Sequence, residues 1–299
     1  MPHSNSGSLF RRLLFAMLGV TMLLSACSSS KDAVDKDPVE TRYRQAMADM
    51  DKRKYDNAIL KLEGLMFSTR ATPLEDKVLH SLASAYFETK QYLLSAEIYR
   101  RLLQQTPDSP YVKDAQYQLA RSYEKLSPHF ELDQEYTVNA INEFRTYLDQ
   151  YPAQESASVA GDVETYRELL KLKPDNAQYK AKYDTAMAAL AEQEPARYAA
   201  SAIGVLREKL AHNRYSIATH YAKLKKYRPA AMYFDQVIAS YSDTIWNEPA
   251  WMGRIDMAVK RNKWFEARQA IEQYLQHFPE KRDKVDGTYK RVLRKFSAS

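Results

Sequence analysis

The sequence predicts an all-α solenoid of about five helix pairs, with a helical insertion between the third and fourth. Three observations predict it. Five segments share one aromatic-then-small spacing. Each repeats its apolar residues at the helical period, as in the last, where Trp264, Ala267, Ile271, Tyr274, Leu275 and Phe278 fall on one face. The chain of 299 residues has only seven glycines, too few for the tight turns of an all-β fold.

Residues 1–26 read as a signal peptide. Arg11 and Arg12 precede an apolar run from Leu13 to Ala26. As a helix this run rises about 21 Å, short of a hydrocarbon core of roughly 30 Å. A positive lead, a short apolar stretch and small residues before a break are the layout of a secretory signal. The run stops at Cys27, the chain's one cysteine. Leu24-Ser25-Ala26-Cys27 resembles the bacterial lipobox. That resemblance implies cleavage before Cys27 and acyl chains, palmitate among them, on its sulfur and new amino group. Several chains anchor firmly where one is marginal, since each buried methylene adds about 0.8 kcal/mol. A core cysteine is the alternative, but the polar SSSKDAVDKD that follows has nothing to build a core with. Residues 27–38 therefore read as a lipidated, flexible tether. An Asp after the cysteine resembles an inner-membrane retention signal. Ser28 stands there instead, and the analogy implies the periplasmic face of the outer membrane.

The formal charge of +6 includes Arg11 and Arg12, and the excess is mild and interspersed with acids. That excludes a nucleic-acid footprint. With Cys27 lipidated no thiol is left for a disulfide, so stability rests on packing. Twenty-two tyrosines need positions where the ring is dry and the hydroxyl wet.

Residues 39–152 form an amino-terminal block of three repeats: KRKYDNAILKLEGL, TKQYLLSAEIYRRLLQQTP and DQEYTVNAINEFRTYLDQYP. Residues 195–280 form a carboxy-terminal block of two: LKKYRPAAMYFDQVIASYS and RNKWFEARQAIEQYLQHFP. The aromatic anchors are Tyr55, Tyr92, Tyr136, Tyr227 and Trp264, followed by Ala58, Ala96, Ala140, Ala230 and Ala267. A second helix precedes each anchor, marked by Ala46, Ala83, Ala120 and Ala218, small residues that let a neighbour approach. The fifth repeat has Ile255 where a small residue is expected. Pro107, Pro152 and Pro279 stop the second helix, because proline lacks the amide donor and disfavours helix before it. This pattern resembles the tetratricopeptide repeat. It defines architecture and carries no chemistry.

The anchors are spaced 37, 44, 91 and 37 residues apart. The interval of 91 predicts the insertion, residues 153–194, as a helical hairpin broken at Pro174-Asp175. Pro195 then begins another helix, and Ala199–Leu224 reads as one long helix. Residues 281–299 form a basic tail.

No catalytic constellation survives inspection, and the chain reads as no enzyme. His212 and His220 are eight apart, two turns along one face, too far to share a metal unaided. No metal site and no cofactor beyond the lipid on Cys27 are expected. Glu131, Asp133 and Glu135 lie in a polar connection and read as solvated. That connection, Ser127 to Gln134, is longer than the tight turn of the other repeats and accounts for the spacing of 44. A long loop on a rigid array is often a binding element, or it covers the end of a groove. Ser127, Pro128, Asp133 and Gln134 are its candidate residues.

Lipobox, five such repeats and SPxxxxDQxYTxxAIxxF across Ser127–Phe144 together resemble the BamD family of outer-membrane assembly lipoproteins. FDQVIASYSDTIWNEPAW is similar to that family's fourth-to-fifth repeat junction. The resemblance implies a scaffold of the β-barrel assembly machinery. Its carboxy-terminal repeats would dock on periplasmic domains of BamA, beside other assembly-machine lipoproteins. Its amino-terminal repeats would meet unfolded outer-membrane β-barrel proteins, whose targeting segments end in aromatics and a carboxylate. Tyr55, Tyr86, Tyr92, Arg121 and Tyr123 are the candidate groove residues, with packing as the competing role of each. The long insertion and the basic tail depart from the family. A pilotin for type IV pilus or secretin assembly is the alternative. A peptidoglycan-acting enzyme has no residues to stand on.

Overall fold

The computed structural model describes residues 38–152 and 156–296. The expected signal peptide, Cys27 and nearly all of the expected tether lie outside them. Among the described residues there are twelve α-helices and no strand. None of them is long and apolar enough to cross a membrane.

The helices pair in chain order. The first repeat is α1 (Pro38–Asp51) with α2 (Tyr55–Met66), and the second is α3 (Glu75–Glu88) with α4 (Tyr92–Gln105). The third is α5 (Val112–Leu126) with α6 (Glu135–Gln150). Next come α7 (Ser156–Leu172) and the long α8 (Ala177–Lys223). The end of α8 pairs with α9 (Tyr227–Ser240) as the fourth repeat, and α10 (Asn247–Lys260) pairs with α11 (Trp264–His277) as the fifth. A 3-10 turn at Pro279–Lys281 leads to α12 (Asp283–Phe296). Helices contact chiefly their neighbours in this order, the quasi-one-dimensional packing of a tetratricopeptide-like solenoid.

One turn geometry recurs. Arg53, Lys90, Lys225 and Asn262 have φ between 56° and 62°, and each stands two residues before an aromatic anchor. Around Lys90, the Gln91 amide donates to the Tyr86 carbonyl at 2.8 Å and the Lys90 amide to that of Phe87 at 3.0 Å. The same pair of bonds closes the turns at Arg53, Lys225 and Asn262. This Schellman closure satisfies carbonyls the first helix leaves open, and it turns the chain sharply enough for the second helix to fold back. The third repeat lacks it. There Gln134, two residues before Tyr136, has φ −105°, and the long loop takes the turn's place.

The core is a ribbon along the array. Ala46, Ala83, Ala120 and Ala218 are wholly buried, as are Ala58, Ala140, Ala230 and Ala267, with Ala96 nearly so. Tyr99, Phe144, Tyr147 and Tyr274 fill the space these alanines leave. The fifth repeat uses a different small residue. A Cβ on Gly253 would overlap the ring of buried Phe234, so Gly253 admits the neighbour's bulk and Ile255 packs elsewhere in the core.

One expectation is corrected. Pro195 begins no helix: α8 is a single helix of 47 residues that runs through it. A proline in a helix interior costs about 3 kcal/mol. Burial offsets that cost on both sides, since Ala186, Gln193, Ala196 and Ala199 are all buried. One continuous helix therefore pairs with α7, packs on α6 and becomes the first helix of the fourth repeat.

Candidate protein-docking site

The long loop of the third repeat builds the most distinctive surface. Ser127 is extended (ψ 114°), as the residue before a proline must be, and α5 stops there. Gln134 is buried and ties the loop from inside. Its amide donates to the carbonyls of His129 at 2.9 Å and Leu132 at 2.8 Å, and its oxygen accepts from Thr137 at 2.8 Å. Asp133 accepts the Glu135 amide at 2.8 Å, satisfying a free donor at the start of α6. The hydroxyls of Ser127 and Thr137 lie 2.6 Å apart. On the far side α8 holds the loop: Lys209 donates to Ser127 Oγ at 2.8 Å and Asn213 to the Phe130 carbonyl at 2.7 Å.

Three rings complete the clasp. Phe130 stacks on His212 with centroids 3.5 Å apart, and His212 stacks on Trp246 at 4.0 Å. Loop, long helix and fourth-to-fifth repeat junction thus meet in one column. Burial, and then the neighbouring His129, hold the His212 imidazole below its ordinary pKa, with Glu131 opposing.

Beside the column opens a notch of about 800 Å³. Its apolar walls are Phe130, Trp246, Val205 and Ile245, the last two 65% and 76% exposed. The Ile245 amide donates to Glu208 at 3.0 Å, which fixes the junction backbone on α8. Lys209 supplies the charge. Burial lowers its pKa, with Glu124 opposing, and its ammonium has three donors of which Ser127 takes one. The arrangement can take an apolar side chain and, beside it, an anion or a backbone carbonyl.

The five groove candidates are distributed over four successive helices, α2 to α5. Tyr55 is half-buried at the start of α2, and Tyr92 packs edge-on to Phe87 at 5.3 Å. Tyr86 is buried and its hydroxyl donates to Glu63, while Tyr123 is buried and receives the Arg100 guanidinium. Arg121 faces α8, with its guanidinium 4.3 Å from the Tyr198 ring centroid and its Nε 3.1 Å from Glu124. Of the loop candidates, Ser127 and Pro128 line the notch, whereas Asp133 and Gln134 shape the loop behind it. Sequence reasoning missed Val205, Lys209, His212, Ile245 and Trp246. The signal available was TIW at the repeat junction, two large apolar residues in a polar turn. Among the described residues no group of three or more His, Cys, Asp or Glu converges as a metal site.

Stacked helix pairs with a rigid loop and an open apolar notch define a helical-repeat binding protein. Residues 35–191, more than half of the chain, match the profile of YfiO, an outer membrane lipoprotein family. The chain belongs to that family of outer membrane lipoproteins. No curated protein matches it. Among solved structures it is similar to the P58(IPK) TPR domain (14% identity, TM-score 0.33), over 87% of this chain and 66% of that one. It is also similar to a tetratricopeptide repeat protein from Parabacteroides merdae (12%, 0.33), over 85% and 98%. The TPR2AB domain of yeast Sti1, solved with pHSP90, aligns at 13% and 0.31, over 87% and 98%. At such TM-scores these alignments carry no argument, and the repeat architecture stands on this chain's own helix pairing.

Proposed function

We propose that this outer membrane lipoprotein is a scaffold of β-barrel assembly, anchored through Cys27 at the periplasmic face. It holds BamA periplasmic domains and unfolded barrel proteins and transforms neither. The observation that carries the reading is the notch: a pinned loop, a three-ring column and exposed Ile245 and Val205 on a chain of this family. Exposed aliphatic side chains beside a rigid aromatic wall suit another polypeptide, and solvent leaves them unburied. The amino-terminal repeats and this notch divide the work between substrate and BamA.

Photo-crosslinkers at Ile245 and Val205 in living cells test it. Adducts with BamA or with barrel precursors are expected, and Ile245→Glu should abolish those formed from Val205 and lower many outer-membrane barrels together. Steady barrel levels on depletion of the protein would refute the scaffold role. Loss of piliation with intact barrels would point to a pilotin.

A further inference from the structure

The chain's positive charge is concentrated at one end. Residues 281–295 hold seven Lys and Arg against two Asp, which is five of the chain's six net charges. Five of the seven bases and both acids lie on α12, which carries a net +3. The apolar side of that helix is already used. Val285 and Val292 are buried among the residues of α10 and α11. The Tyr289 hydroxyl donates to Glu272 at 3.0 Å, and Lys281 and Lys284 reach Glu248 on α10 at 2.6 and 2.7 Å. At 3.6 residues per turn, Asp283, Gly287, Lys290, Arg291 and Arg294 share the side opposite Val285 and Val292, with the acid in the first turn and the three bases in the last two. Lys290 pairs with Asp286 one turn earlier, at 2.6 Å. Arg291 and Arg294 are exposed and make no ion pair among the described residues.

This outward face has charge and no anchor. The centre of a stable protein interface is more apolar than its rim, and no aromatic or aliphatic side chain stands among these residues to form one around the two arginines. A bilayer of anionic phospholipid needs only basic side chains near its headgroups, each adding its own increment of attraction. The family places the chain at a membrane. We propose that the cationic face of α12 rests on anionic phospholipid headgroups. It is then a second membrane contact, at the opposite end of the sequence from the anchor expected at Cys27.

The test uses residues 28–299, the chain without its acylated cysteine, cut ten residues ahead of the first helix. It is sedimented with phosphatidylcholine vesicles, plain or with about one-third phosphatidylglycerol. Binding to the anionic vesicles alone, weakening as salt rises, is expected. Arg291→Gln with Arg294→Gln should lower the affinity roughly thirtyfold, at about fivefold per charge. Arg291→Lys with Arg294→Lys should retain binding. Lys52→Gln with Lys54→Gln, on the first repeat, should leave it unchanged. Equal binding to neutral vesicles, an unaffected glutamine pair, or equal loss from the first-repeat pair each overturns the proposal. Binding to polyglutamate with none to vesicles would overturn it too, and reassign the face to an acidic protein.

Discussion

At the scale of the residue, Gly253 marks where volume decides. A Cβ there overlaps the Phe234 ring, which is buried and has nowhere to go. Gly253→Ala should destabilise the protein by about 1–2 kcal/mol, overpacking outweighing the gain in helix propensity. Chemical denaturation would measure it, and an unchanged midpoint would contradict the packing. Glu248 makes a second point. Hydrogen bonds from Lys281 and then Lys284 hold its carboxyl down at about 2, against an ordinary 4.5. Because the folded value lies below the unfolded one, this stabilisation is complete above about pH 4.5 and is lost as pH falls through 2. Amide exchange should therefore rise in α12 before it rises in α3 on acid titration. The sequence revealed neither residue. Gly253 looks like any helix glycine, and the partners of Glu248 stand 33 and 36 positions away.

Among the elements, the four Schellman turns were half legible. The spacing of the aromatic anchors located them, but nothing in Arg53, Lys90, Lys225 or Asn262 announces a left-handed backbone. A non-glycine residue there is strained by roughly 1 kcal/mol. Lys90→Gly should relieve it and raise the melting temperature by a few degrees. A thermal melt showing a decrease would mean that the lysine side chain matters more than its backbone. The amphipathic pairs were legible because apolar period and packing agree in them. The unity of α8 was not. Proline and the change of pattern at residue 195 both read as a boundary, and only tertiary burial overrides them. The notch was hidden for a related reason. Phe130, His212 and Trp246 come from three elements far apart in sequence, and pattern arguments work within a window of a few turns.

For the whole molecule, α8 joins what a repeat array otherwise keeps separate. Solenoids unfold piecemeal, because each repeat holds only its neighbours. Here Leu206, buried where α8 crosses the third repeat, lies on the same helix as Ala211 and Ala218 of the fourth-repeat core. Leu206→Ala should destabilise by about 2–5 kcal/mol. Its effect should reach both sides: amide protection should fall in α6 and in α9 together. A loss confined to α6 would mean that the two blocks fold independently.

The three-ring column sits on that same shaft. From Ala177, where the hairpin turns into α8, to His212 is a run of about 50 Å at 1.5 Å per residue. The hairpin and the wall of the notch are thus carried by one rod, and a substitution that breaks it between them should be felt at both.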